Sequence, residues 1–165
     1  PKQYLVFTLN RKALMSNKAN LERMLETMSE AAGNMPIIAP LRTDAAQVVQ
    51  LLDASKHRNL HIVQPLGYLE FSYLLLNAAG VITDSGNVAE EATFTNVPCA
   101  TLNSYTEHIE TVKQGTNILV GEDAQKLRTA VSDMVSGKWK TATIPDRWDG
   151  RSAERIIQTL IDFVK

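Results

Sequence analysis

Cysteine is nearly absent from these 165 residues: Cys99 stands alone, so no internal disulfide framework can form, and a reducing compartment is expected. Net charge is missing too. Seventeen Lys and Arg against 18 Asp and Glu leave −1, which gives no electrostatic basis for binding nucleic acid or an anionic membrane. No apolar run approaches the roughly 20 residues of a membrane span, and no signal-peptide pattern opens the chain, so a cytoplasmic protein without a membrane partner is expected. His57, His61 and His108 are scattered without ligand spacing, so no metal site is expected. Neither GxxxxGK[ST] nor GxGxxG occurs, and there are no repeats or low-complexity tracts. The chain starts at Pro1 rather than Met and enters a strand pattern almost at once, which suggests a piece of something longer.

What is present is ordinary in bulk and informative in pattern. With 44% hydrophobic and 21% charged residues, 165 residues suit a single globular domain with a real core, taken here as 1–165. Short apolar runs alternate with helical periodicity. Strands are expected at 4–8, 37–39, 60–63, 81–83, 98–102 and 117–120. Helices are expected around Leu21, Met24, Leu25 and Met28 up to Gly33, and from Thr43 or Asp44. Further helices are expected at 68–79, 88–94, 107–112, 124–135 and 152–164. The stretch after the first strand, through Asn17, reads as a polar loop. This alternation predicts a doubly wound, Rossmann-like parallel sheet of about six strands in the order 3-2-1-4-5-6, with helices on both faces. Ligands of such sheets sit beyond the carboxyl ends of the strands, at the switch in strand order.

The fourth strand runs into that switch as Val81-Ile82-Thr83-Asp84-Ser85-Gly86-Asn87-Val88-Ala89-Glu90-Glu91. A polar turn opening a helix presents unpaired amides and the positive end of the dipole, a ready place for phosphate oxygens. A carboxylate one turn on suits sugar hydroxyls. The alternative is that Asp84 or Ser85 only caps the helix while Glu90 and Glu91, in its first turn, complement the dipole.

Other candidates also follow strands. Asn10-Arg11-Lys12 is a basic turn able to hold phosphate charge, or a solvated loop, and Arg42 beside the next helix start has the same two readings. Gly67 permits a tight turn before Tyr68 and Phe71, whose rings could meet a nucleobase or simply pack in the core. Thr106-Glu107-His108-Ile109-Glu110 offers Glu107 and His108 as acid–base candidates or a polar helix face. A Ser-His-Asp reading of Ser85, His108 and Asp84 lacks the GxSxG elbow.

Taken in order, Pro65-Leu66-Gly67-Tyr68 with Phe71, Thr83-Asp84-Ser85-Gly86, Glu90-Glu91, Pro98, Thr106-Glu107, Glu110, Gly115-Thr116-Asn117 and Leu119-Val120-Gly121 resemble the C-terminal half of the non-hydrolysing UDP-N-acetylglucosamine 2-epimerases. Asp149-Gly150 with Ala153 and Arg155-Ile156 matches that family's closing motif. The resemblance implies one half of a glycosyltransferase-B-like fold, a UDP-sugar substrate, no cofactor, a role in surface-polysaccharide precursor supply, and a missing N-terminal domain of the same chain as partner. A homodimer is a further candidate assembly. It also implies that Ser85, Gly86 and Asn87 line the diphosphate grip, that Glu91 holds the ribose, that Phe71 lies by the uracil and that Arg11 is near the phosphates. The family reaction inverts the sugar at C2 by eliminating and re-adding UDP.

Five positions depart from the family pattern. Asn10 stands for a His, Arg42-Thr43 closes a run that has lost its His, Asn87 replaces a second Gly, Asn103 stands for an Arg, and His108 replaces another Arg. Weaker phosphate binding is therefore expected, and because the resemblance places the sugar's acid–base carboxylates largely in the N-terminal domain, the chain alone is expected not to turn over. A glycosyltransferase with the same nucleotide grip, or a diverged non-catalytic sugar-nucleotide binder, are the other functions these residues would fit.

Overall fold

The computed structural model describes residues 2–164. Its six strands are β1 (Leu5–Phe7), β2 (Ile37–Pro40), β3 (Leu60–Val63), β4 (Gly80–Thr83), β5 (Cys99–Thr101) and β6 (Asn117–Leu119), joined in one sheet ordered β3-β2-β1-β4-β5-β6. Every neighbouring pair is parallel, with Leu5 opposite both Ile37 and Gly80 in the central registers. The helices are α1 (Lys12–Ser16), α2 (Lys18–Ala32), α3 (Thr43–Gln50), α4 (Tyr68–Leu76), α5 (Gly86–Phe94), α6 (Ile109–Lys113), α7 (Ala124–Ser136) and α8 (Ser152–Val164), with one 3₁₀ turn at Ala54–Lys56.

The central strands read as unbroken apolar runs because both of their faces are covered. β1, β4 and β5 are buried at every residue, whereas β3, at the edge, alternates between partly buried and exposed. Side chains alternate across β1. Leu5 and Phe7 enter one core, with Leu21, Leu25 and Met28 of α2 and Leu127, Val131 and Met134 of α7. Val6 enters the other, with Leu75 and Ala78 at the end of α4 and Ala89 and Ala92 of α5. Each large aliphatic buried here contributes about 1.5–3 kcal/mol of hydrophobic transfer, so the two layers clamp the sheet from both sides. Close packing explains Gly80, where an added Cβ would lie 2.5 Å from Met134 Sδ.

Local signals end the helices where expected. Asn17 caps α2 by accepting from the Asn20 amide at 3.2 Å, and Asp123 caps α7 by accepting from Gln125 and Lys126. Gly137, at φ 70°, closes α7 in the left-handed region that glycine enters without strain.

Two sequence readings are corrected. The stretch before Asn17 is not a polar loop: it contains the short helix α1, whose Leu14 and Met15 are buried in the larger core. And α5 begins at Gly86 rather than Val88, so Glu90 and Glu91 lie in its second turn and no acidic side chain occupies the first. The dipole's effect fades within the first turn, so complementing it is not what these carboxylates do. α8 forms as expected but buries nothing: Ile156 is 60% exposed, Leu160 60% and Ile161 47%. Cys99, by contrast, is sealed inside β5, and burial pushes its thiol up to about 12.

Candidate functional site

β1 and β4 are neighbours whose connections leave the sheet in opposite directions, so the loop after one and the turn after the other face each other across a crevice. Asp84 joins them. It is 5% exposed, and its Oδ2 accepts from the Asn10 amide at 2.8 Å and the Arg11 amide at 2.6 Å, while Oδ1 accepts from Asn10 at 3.1 Å. Below this clamp the Thr8 and Thr83 hydroxyls meet at 2.6 Å. The Asp84 carboxylate is thus fully engaged in holding the β1 loop and does not cap α5.

Ser85 does cap it, accepting from the Val88 amide at 3.5 Å in extended backbone, while its own amide donates to Thr83 Oγ1 at 3.0 Å. The next two residues, Gly86 and Asn87, carry first-turn amides with no intrahelical acceptor. Asn87 is exposed on helical backbone and is not among the described non-glycine residues with positive φ, which are Lys2, Asn96 and Arg147. The tolerance of Asn for left-handed backbone is therefore not used here.

Arg11 is brought to the same rim. Its guanidinium donates to Asn103 Oδ1 and lies 6.0 Å from the centre of the Tyr105 ring, and Asn103 Nδ2 in turn donates to the Asp84 carbonyl at 3.3 Å. One cation, two free amides and a serine hydroxyl therefore converge at the switch point. His108 joins them across from α5, its Nδ1 3.0 Å from Glu90 Oε1. Glu107, beside it, is exposed, and the bonds that fix this segment run through Thr106 and Thr111. Arg42 is exposed at the start of α3 and makes no side-chain capping bond.

Farther along α5, Glu91 faces a cleft of about 450 Å³ between α4 and α5, lined also by Tyr68, Ser72, Phe94, Thr95 and Trp148. Its Oε2 is buried without a hydrogen-bond partner. Burial, then the neighbouring charge of Glu90, raises its carboxyl above the usual range. An acceptor held this way, unpaired and desolvated, suits a ligand bringing hydroxyl donors.

Phe71 is half-buried against the smaller core, and the rings that line the cleft are Tyr68, Phe94 and Trp148. Sequence reading passed over Trp148 and Phe94. Only their aromatic character in an irregular segment and on an exposed helix face marks them, and neither has a periodic pattern behind it. Among the described residues, no group of three or more His, Cys, Asp or Glu could hold a metal ion. No described helix is long and apolar enough to cross a membrane.

A family model described as UDP-N-acetylglucosamine 2-epimerase matches residues 1–161. The UDP-N-acetylglucosamine 2-epimerase of Methanocaldococcus jannaschii is 38% identical over 165 residues, covering 95% of this chain and 44% of that protein. The UDP-2,3-diacetamido-2,3-dideoxy-D-glucuronate 2-epimerase of Pseudomonas aeruginosa is 31% identical, again over 95% of this chain and 44% of its own length. Among solved structures, the M. jannaschii enzyme in complex with UDP-GlcNAc and UDP superposes with a TM-score of 0.79 at 35% identity, covering 97% of this chain and 45% of that one. The chain thus spans under half the length of the curated relatives it matches.

Proposed function

The chain belongs to the UDP-N-acetylglucosamine 2-epimerase family, and on that premise we propose that it is the C-terminal, UDP-sugar-binding domain of such an epimerase. The observation that carries this reading is the switch-point turn: Ser85, Gly86 and Asn87 open α5 beside Arg11, and the unpaired Glu91 carboxylate stands farther along the same helix in a cleft. In this reading the diphosphate rests on the α5 amides and the Ser85 hydroxyl, with Arg11 neutralising its charge. Glu91 accepts from the ribose hydroxyls, and Phe71 backs the uracil.

The reaction interconverts UDP-GlcNAc and UDP-ManNAc by eliminating and re-adding UDP. Negative charge builds on the departing diphosphate, and fixed dipoles and a cation aimed at that spot lower the barrier without reorganising. Asn10 supplies no proton in this scheme, because a side-chain carboxamide does not exchange one near neutral pH; its backbone amide is bound by Asp84. The remaining acid–base groups belong to an N-terminal domain of the same polypeptide, which the relatives' greater length supports. The apolar face of α8, with Ile156, Leu160 and Ile161, is the surface we assign to contact with it. We place the activity in the cytoplasm, where it would supply surface-polysaccharide precursors.

Calorimetric titration of UDP into the chain tests the site. Binding that weakens at least about tenfold in Ser85→Ala and Glu91→Ala, as expected for losing hydrogen bonds to charged groups, supports it. Absence of binding at millimolar UDP, with both variants indistinguishable from the parent, refutes it.

A further inference from the structure

The backbone of His108 is fixed on both sides by hydrogen bonds to nearby threonines. Its amide donates to Thr106 Oγ1 at 3.0 Å, and its carbonyl accepts from Thr111 Oγ1 at 2.7 Å and from the Thr111 amide at 3.0 Å. It is the N-cap residue of α6, yet its side chain makes no capping bond. The ring turns instead to α5, where Nδ1 meets Glu90 Oε1 at 3.0 Å. The opposite edge lies over the first residue of that helix. A Cβ added to Gly86 would meet Cδ2 at 2.8 Å and Nε2 at 2.9 Å, so only glycine leaves the ring this place.

An ionised carboxylate can only accept, so the Glu90 contact puts a proton on Nδ1 and fixes the orientation of the ring. Nε2 is then the nitrogen that lies over Gly86, at the end of α5 where the first-turn amides have no intrahelical acceptor. Glu90 is the ionisable side chain that touches the ring from α5. Glu107 and Glu110 flank His108 on its own segment and are exposed, and Arg11, on the β1 loop, is engaged with Asn103 and Tyr105.

We propose that His108 contacts the diphosphate, its Nε2 donating to a phosphate oxygen seated on the α5 amides, with Glu90 as the positioning residue that orients the ring. A ring protonated on both nitrogens donates to an anion on each side, Glu90 and the diphosphate. The proposal rests on the UDP-sugar reading above. It adds a residue that responds to the phosphates and not to the nucleoside.

Titration of UDP-GlcNAc and, separately, uridine into the parent chain, H108A, H108Q and E90Q, followed by nuclear magnetic resonance, separates the outcomes. H108A should weaken UDP-GlcNAc binding about tenfold, the scale of one charge-assisted hydrogen bond, and change uridine binding less than about twofold. H108Q, whose amide nitrogen takes the place of Nε2, should recover part of that loss, and E90Q should fall between parent and H108A. If H108A does not fold, H108Q and E90Q carry the same comparison. Equal losses on both ligands, or no loss on either, overturn the role of His108 while leaving the nucleotide site standing. A parent chain that binds neither ligand overturns the UDP-sugar reading, and this inference with it.

Discussion

Removing the Asp84 carboxylate should cost the fold far more than an exposed acid would. In Asp84→Ala the amides of Asn10 and Arg11 lose an ionised acceptor that now holds them at 2.8 and 2.6 Å. Hydrogen bonds to charged groups contribute about 1.5–3 kcal/mol each. Asn10 is exposed, so water takes up part of its loss, whereas Arg11 is only partly exposed. The net penalty is then about 3 kcal/mol rather than the full sum of the two bonds. For a chain of this size each kcal/mol moves the thermal midpoint by roughly 2–4 °C, so the variant should melt about 6–12 °C lower. Asp84→Asn keeps one acceptor oxygen but turns an NH₂ group toward the amides, and should fall between. Thermal unfolding by circular dichroism gives the midpoint, and amide exchange at Asn10 and Arg11 locates the damage. A midpoint shift under about 1 °C, with exchange at both amides unchanged, would refute the claim that Asp84 ties the two loops.

Glu91→Gln should pull stability and binding in opposite directions. A folded-state value raised above the unfolded one means that the native chain holds its proton more tightly. Stability therefore declines as pH rises from the ordinary carboxylate range through the raised folded value. At neutral pH the parent carries a desolvated charge that Gln lacks. The variant should gain a little stability, under about 1 kcal/mol because solvent screens a partly exposed group, while losing UDP affinity; a loss of both would contradict this account. Asp149 behaves the other way. Arg155 and the Arg151 amide hold its carboxyl down to about 2, so its contribution to seating α8 is present above the ordinary range near 4 and fades as pH falls toward 2. Asp149→Asn should fray the first turn of α8 in amide exchange at pH 6 and leave the sheet untouched. Replacing Ile156 and Leu160 together with Glu should leave the unfolding free energy from urea titration within about 0.5 kcal/mol of the parent, since neither is buried, and the exposed apolar α8 face should make the parent the more self-associating of the two in sedimentation.

The sheet was legible because its central strands are buried on both faces and so stand out as apolar runs between helical stretches, and strand order followed from the doubly wound pattern of alternating strands and helices. α1 was not legible, since five residues with two buried apolar positions make no detectable period. At the switch point the reverse held. The turn announced itself through Ser85 and Gly86, but Asp84 looked like a cap because its partners lie 73 and 74 residues away. The contact between His108 and Glu90 was hidden too, because it joins α5 to a separate segment across β5. Trp148 escaped for a related reason: an aromatic in an irregular segment shows its use only when the segment is folded back over α4 and α5.

The sealed strand β5 makes this molecule its own recorder. A lone thiol, 0% exposed and protonated at neutral pH, cannot be alkylated until the middle of the sheet parts. The labelling rate of Cys99 therefore counts openings of the central strands and nothing else. Any molecule that binds the closed form adds RT ln(1 + [L]/Kd) to the work of opening. A UDP-sugar seated on α5 would slow that clock in proportion to its occupancy, so affinity could be read from the core without a label at the site.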